Sequence, residues 1–207
     1  MTAPAPTSTT RARWLSTLHQ WHWVSAAVSL MAMLLFTLTG FTLNHAADIE
    51  GRPQVTQRHA QVPLALLADL PAEGATAPLP PALRYWLEDT WQLSLGAREA
   101  EFSADEVYLS LPRPGGDAWL RIGLPDGHAE YEHTDRGWIS YFNDLHKGRH
   151  TGTAWRWFID VFAAACLVFC VTGLGILYLH AKNRPMAWPI VGLGLLLPAL
   201  LALLFIH

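Results

Sequence analysis

The chain has 207 residues, of which 51% are hydrophobic and 15% charged, against about 25% charged in an average soluble protein. With a mean hydropathy of +0.18, that balance excludes a disordered chain and an ordinary soluble domain. A net charge of -3 leaves no electrostatic footprint for nucleic acid, and two cysteines cannot build a disulfide framework. The ten histidines and ten tryptophans are the unusual counts, because tryptophan suits membrane interfaces and histidine suits metals and haem.

In chain order, residues 1–23 are predicted to be a cytoplasmic N-terminus leading into a first helix. Residues 24–43 are almost uninterrupted apolar sequence, and residues 24–45 are predicted to be the first transmembrane helix. Arg11 and Arg13 precede this run, as in a signal peptide. However, the run exceeds the usual apolar core of such peptides, and Asn44-His45-Ala46-Ala47 is a poor cleavage site, so it reads as an uncleaved anchor. Residues 155–180 and 188–206 hold two further apolar runs, joined by a cytoplasmic turn at 181–187. Each run is about 20 residues, the length that crosses roughly 30 Å of hydrocarbon. Tryptophans mark the ends at Trp21, Trp23, Trp155, Trp157 and Trp188. The predicted fold class is therefore membrane α-helical, three transmembrane helices carrying a small α+β insert at 46–150. Lys182 and Arg184 in the short turn, with Arg11 and Arg13, place the N-terminus inside by the charge rule. The insert holds 16 acidic and 9 basic side chains and is read as periplasmic in a bacterial inner membrane.

Within the insert, residues 46–79 are Pro- and Ala-rich and are expected to form an extended or poorly ordered approach. Residues 80–137 look organised. Pro80-Pro81 opens a predicted helix over 82–93 with Leu83, Trp86, Leu87 and Thr90 on one face. Strands are predicted at 107–111, 119–124 and 128–133, separated by turns at Pro114-Gly115-Gly116-Asp117 and Asp126-Gly127. A helix on a three-stranded meander is the expected unit.

Both of the first two spans carry Thr-Gly near their ends, Thr39-Gly40 and Thr172-Gly173, followed by His45 and His180. Small residues allow close helix packing, and glycine also makes room for a flat cofactor; both readings stay open. Six histidines gather at the helix ends: His19, His22 and His180 at the inner end, His45, His146 and His150 at the outer end. His22 and His45 are 23 residues apart, about 34 Å along a helix, so one iron cannot take both. An antiparallel second helix is expected to bring His180 to His19 and His22, and His146 or His150 to His45. Two bis-histidine metal or haem sites follow, with an interfacial, metal-free role as the bland alternative. Zinc on His146, His150 and Asp144 is a further option, weakened by Gly148. Cys166 and Cys170, an i, i+4 pair, read as small apolar residues. Asp160 reads as the partner of Arg156, while Lys147, Arg149 and Arg156 are candidate partners of haem propionates. There is no haem-attachment Cys-x-x-Cys-His, and no nucleotide or flavin fingerprint. Any electron donor must therefore be a quinol, a soluble flavin or a partner protein.

These residues resemble a known family. Leu18-His19-Gln20-Trp21, Thr39-Gly40 with Leu43-Asn44-His45, and above all Asp144-Leu145-His146-Lys147-Gly148-Arg149-His150-Thr151-Gly152 are similar to small PepSY-associated transmembrane proteins of bacteria. The reading of 80–137 is similar to one PepSY unit. Larger relatives include inner-membrane ferric-siderophore reductases that hold b-type haem by histidine pairs. The resemblance implies one or two haem b groups, with His19, His45 and His146 as first candidates and His22, His150 and His180 as partners. The chain has three spans and one PepSY-like unit where those relatives have more. The reductase activity then either fails to carry over or needs a homodimer or another subunit. Two functions are weighed: a haem-b carrier reducing ferric iron or a ferric siderophore in the periplasm, and a non-enzymatic anchor whose insert binds a periplasmic partner.

Overall fold

The computed structural model describes residues 7–49 and 51–206. Two compact units share the chain. One comprises Met1–Leu35 with Trp157–His207, the other Phe36–Arg156.

Three helices are long and apolar enough to cross a membrane: α1 (Thr7–Asn44), α4 (Gly152–His180) and α5 (Ala187–Phe205). Their most apolar stretches have mean hydropathies of 1.9, 2.3 and 2.3. Most of their large apolar side chains are exposed, as a lipid solvent demands and water does not. In the first unit α1 and α4 run antiparallel. Arg11 Nη2 donates to Leu179 O at 2.8 Å, while further along α1 His22 meets Phe169. Gly175 lets Leu18 pack onto α4; a Cβ there would meet the leucine methyls at 3.2–3.3 Å. That glycine is helix packing alone.

The second unit is built on a six-stranded antiparallel sheet in the order β1-β6-β5-β4-β3-β2. Its strands are β1 (Gln54–Gln61), β2 (Thr76–Pro78), β3 (Glu99–Phe102), β4 (Glu106–Ser110), β5 (Gly116–Gly123) and β6 (His128–Asp135). The β4–β5–β6 meander lies where alternation predicts it, with Leu109 opposite Leu120 and Leu120 opposite Tyr131. The helix α2 (Pro81–Trp91) lays Leu83, Leu87 and Trp91 on the core. Thr90, expected on that face, is exposed, and Trp91 takes its place because the buried positions follow i, i+4, i+8.

The expectation for residues 46–79 is corrected. They supply both outer strands, β1 and β2, with a 3-10 turn at Leu64–Leu67 between them. β1 is polar on both faces and seven of its eight residues are exposed. It is held by its backbone ladder with β6, so it carries no hydrophobic alternation. Residues 137–147 form a separate helix, α3 (Gly137–Lys147), which ends at Gly148 in the left-handed conformation (φ 65°). Glycine there satisfies the last carbonyls of α3 without a Cβ penalty. The break between α3 and α4 moves His146 relative to α1, with consequences described next.

Candidate functional site

The inner histidines lie in the first unit. His19 and His180 face each other edge-to-face with ring centres 6.3 Å apart. His19 Nδ1 bonds Leu15 O at 2.8 Å, and His180 Nδ1 bonds Ile176 O at 2.9 Å. A carbonyl only accepts, so both Nδ1 atoms carry the proton, and each neutral ring keeps the Nε2 lone pair that binds metals. Carbonyl partners of this kind fix the tautomer and orientation of metal-binding histidines. Both rings line an open cavity of about 720 Å³ with Gly173, Ile176, Leu177 and Arg184.

His22 occupies a different level. Its ring stacks on Phe169 at 4.4 Å, and its Nδ1 lies 3.1 Å from both Phe169 O and Thr172 Oγ1. Thr172 sends its own proton to the Val168 and Phe169 carbonyls, so it accepts from His22. A Cβ on Gly173 would come within 3.2 Å of His22 Cε1. The seven residues from Gly173 to His180 correspond to about 10 Å of helix. His180 therefore reaches the level of His19 but not of His22, contrary to the expectation that it would reach both.

The outer histidines lie in the second unit and do not converge. His146 Nδ1 is 2.7 Å from Thr39 Oγ1, its ring rests 5.0 Å from that of Phe36, and a Cβ on Gly40 would meet its Cε1 at 3.3 Å. Thr39 donates to Phe36 O, so it accepts from His146, whose Nε2 keeps its lone pair. His45 instead lies beside Phe41 and pairs with Asp48 at 3.4 Å. His150 follows the Gly148 break with φ 56°, and its Nε2 accepts from Arg149 Nε at 3.1 Å. The expected meeting of His146 or His150 with His45 is thus corrected: α3 seats His146 more than a turn of α1 below His45. The zinc option on His146, His150 and Asp144 also fails. The two histidines do not share a helix, and Asp144 accepts the Gly115 N–H at 2.9 Å. No group of three or more His, Cys, Asp or Glu that could hold a metal ion occurs among the described residues.

The two Thr-Gly steps therefore do one job twice. Phe36-Thr37-Leu38-Thr39-Gly40 and Phe169-Cys170-Val171-Thr172-Gly173 share a Phe-x-x-Thr-Gly pattern. In each, Phe packs on a histidine ring, Thr accepts its Nδ1 proton and Gly admits its edge. The glycines make room for a histidine rather than directly for a cofactor. Residues 13–207 match the family described as "Putative PepSY_TM-like". The chain belongs to this family. No curated protein and no solved structure matches it.

Around the two sites of this PepSY_TM-like protein, the cations fall unevenly. Arg149 is engaged by His150, and Arg156 Nη2 donates to Thr153 Oγ1 at 3.3 Å. Lys147 is exposed near the end of α3. Arg184, read in the sequence only as an orienting charge, shares the cavity of His19 and His180. Cys166 and Cys170 are free thiols, Cys170 exposed.

In the insert, His133 is the titrating group whose environment stands out. Burial, with Arg113 and Arg58 nearby, lowers its pKa below the ordinary 6.5, against an opposing pull from Asp135, and its Nε2 is buried without a partner. The unfolded chain therefore binds the His133 proton more readily than the folded one. The resulting stability is complete above pH 6.5 and is lost as pH falls through the lowered folded value. Thermal melts of the full chain between pH 7.5 and 5 are expected to show a smaller acid loss in His133→Gln than in the native chain. Parallel curves for the two would remove His133 as the cause.

Proposed function

We propose that this protein is a b-type haem electron carrier of the bacterial inner membrane, N-terminus in the cytoplasm, that passes electrons to ferric iron or a ferric siderophore in the periplasm. The observation that carries this reading is the His19–His180 pair. The rings are 6.3 Å apart, both are held in the Nε2-ligating tautomer by carbonyls, and they line a cavity with a cation on its rim. A six-coordinate haem needs two protein ligands, not the three or four of a zinc site, so a two-histidine arrangement fits the group. When bound, haem supplies a one-electron couple.

The residues around the pair have separable tasks. His19 and His180 would hold the iron from α1 and α4. Arg184, on the same cavity, would pair with a carboxylate of the bound group, and Gly173 admits the His22 ring. His22, Thr172 and Phe169 fix α1 against α4 so that the pair stays in register. On the outer side His146 is presented in the same tautomer but lacks a second histidine. There His146 would hold such a group only together with a histidine from a second copy or another subunit, in line with the three-span chain. A quinol or reduced flavin gives up its electrons singly and releases its protons. Each electron converts one Fe(III) to Fe(II), which hard oxygen ligands hold less tightly.

The test is a reduced-minus-oxidised visible spectrum of the detergent-purified full chain with a pyridine haemochrome count. A sharp α-band at one haem or more per chain is the expected result. A protein that stays colourless after expression with haem precursor overturns the proposal and leaves the partner-binding anchor.

A further inference from the structure

We propose that α3 and the arginines beside it form a binding site for the phosphate headgroup of an anionic phospholipid. The helix is tied to the end of a membrane span. Thr42 Oγ1 donates to Asn143 Oδ1 at 2.9 Å, and Thr39 accepts from His146. With Asn143 and His146 turned to α1, another face presents Trp138, Tyr141 and Phe142, which pack on one another edge-to-face or tilted with ring centres 5.7–6.4 Å apart. Trp138 is 76% exposed. A tryptophan in contact with water over three quarters of its surface has a poor solvent there, whereas tryptophan and tyrosine beside a span's end belong at the headgroup level.

Charge selects the headgroup. Two adjoining cavities, of about 530 and 540 Å³, share Arg52, Gly137 and Trp138. Arg113 enters the first and Arg136 the second. All three arginines are exposed. The acidic side chain lining them, Asp135, is engaged by Arg113 at 3.6 Å and by the Gly137 N–H at 2.7 Å. Guanidinium forks fit phosphate oxygens bidentately, and the aromatic cluster beside them suits the glycerol and upper acyl chain. The cationic, aromatic rim contrasts with the acidic excess of the insert as a whole, so it is a local feature rather than a general field.

The experiment titrates the delipidated full chain in detergent with soluble short-chain phosphatidylglycerol, phosphatidylcholine or inorganic phosphate. The readout is the part of the tryptophan emission that disappears in Trp138→Phe. Each arginine near an anionic lipid is expected to contribute about fivefold. Phosphatidylglycerol should thus bind at least tenfold tighter than phosphatidylcholine, and the Arg52→Gln/Arg113→Gln/Arg136→Gln chain should lose most of that preference. Arg52→Gln alone, at an exposed position, gives a partial loss with the melting temperature unchanged, separating binding from folding. Equal affinity for the two lipids, an unaltered preference in the triple variant, or inorganic phosphate binding as tightly as phosphatidylglycerol overturns the proposal.

Discussion

Replacing either His19 or His180 with alanine is expected to remove one haem per chain, whereas His45→Ala and His150→Ala retain the native haem content. The contrast follows from how each ring is held. His19 and His180 share one cavity, with Nδ1 committed to carbonyls and Nε2 available. His45 is drawn to Asp48, and the Nε2 of His150 is occupied by Arg149. With one of its two histidines gone the site would no longer retain the group, so the haem count and the sharp α-band are the readouts. His22→Ala gives a third outcome. It leaves haem content intact and lowers the thermal stability of the α1–α4 pair, because it removes a ring stacked at 4.4 Å and a hydrogen bond to Thr172. If His22→Ala lost the haem while His180→Ala kept it, the inner pair would be misassigned. A full haem complement in all of the variants would sink the histidine ligation altogether.

Which parts of this arrangement are legible in the sequence depends on the physical signal each part leaves. The membrane helices announce themselves because lipid requires every face to be apolar over about 20 residues, and the three runs satisfy that. The β4–β5–β6 meander is legible because one face is buried: β5 alternates buried and less buried positions throughout its length. β1 leaves no such trace, since it is held mainly by its backbone ladder with β6 and seven of its eight residues are exposed, Ala60 alone being half-buried against the core. The histidine sites are half legible. Six histidines at helix ends are visible by counting, but which ring meets which helix turns on the break at Gly148 and Gly152. That break makes residues 137–147 a separate helix and seats His146 on Thr39-Gly40 rather than beside His45. The Phe-x-x-Thr-Gly repeat is legible in full: beyond Thr-Gly, the phenylalanine three residues before each Thr completes the ring's seat. The partition of Arg184 to the cavity has no sequence signature, since an arginine in a short turn between two apolar spans already has a reason in the charge rule.

Gly115→Ala is expected to destabilise the insert by about 3 kcal/mol or more, the combined effect of a left-handed backbone at a non-glycine residue and a collision with packed backbone. Gly115 has φ 73°, and a Cβ on it would lie 2.7 Å from Tyr141 Cβ and 2.8–2.9 Å from the Tyr141 Cα and N atoms. None of these can rotate aside as a flexible side chain would. The same residue donates its N–H to the buried carboxylate of Asp144 and accepts from the Arg136 N–H at 2.8 Å. The tight turn before β5 is thereby locked to α3 at Tyr141 and Asp144 and to Arg136 just before it, so relieving the collision means breaking the hydrogen bond to the buried Asp144. Gly74→Ala is the control. Gly74 has a comparable φ of 79° but nothing within 4 Å of its added Cβ, so its cost is the backbone conformation alone, about 1 kcal/mol. At about 4–8 °C per kcal/mol for a domain of this size, the first variant should melt more than 10 °C below the native chain and the second within a few degrees of it. Equal shifts would mean that α3 yields freely at Tyr141. Because α3 carries both Asp144 and His146, Gly115→Ala should also loosen the His146–Thr39 bond, seen as faster exchange of the imidazole N–H proton. The packing of one turn against α3 thus sets the position of His146, and the haem proposed for His19 and His180 should be retained in the same variant.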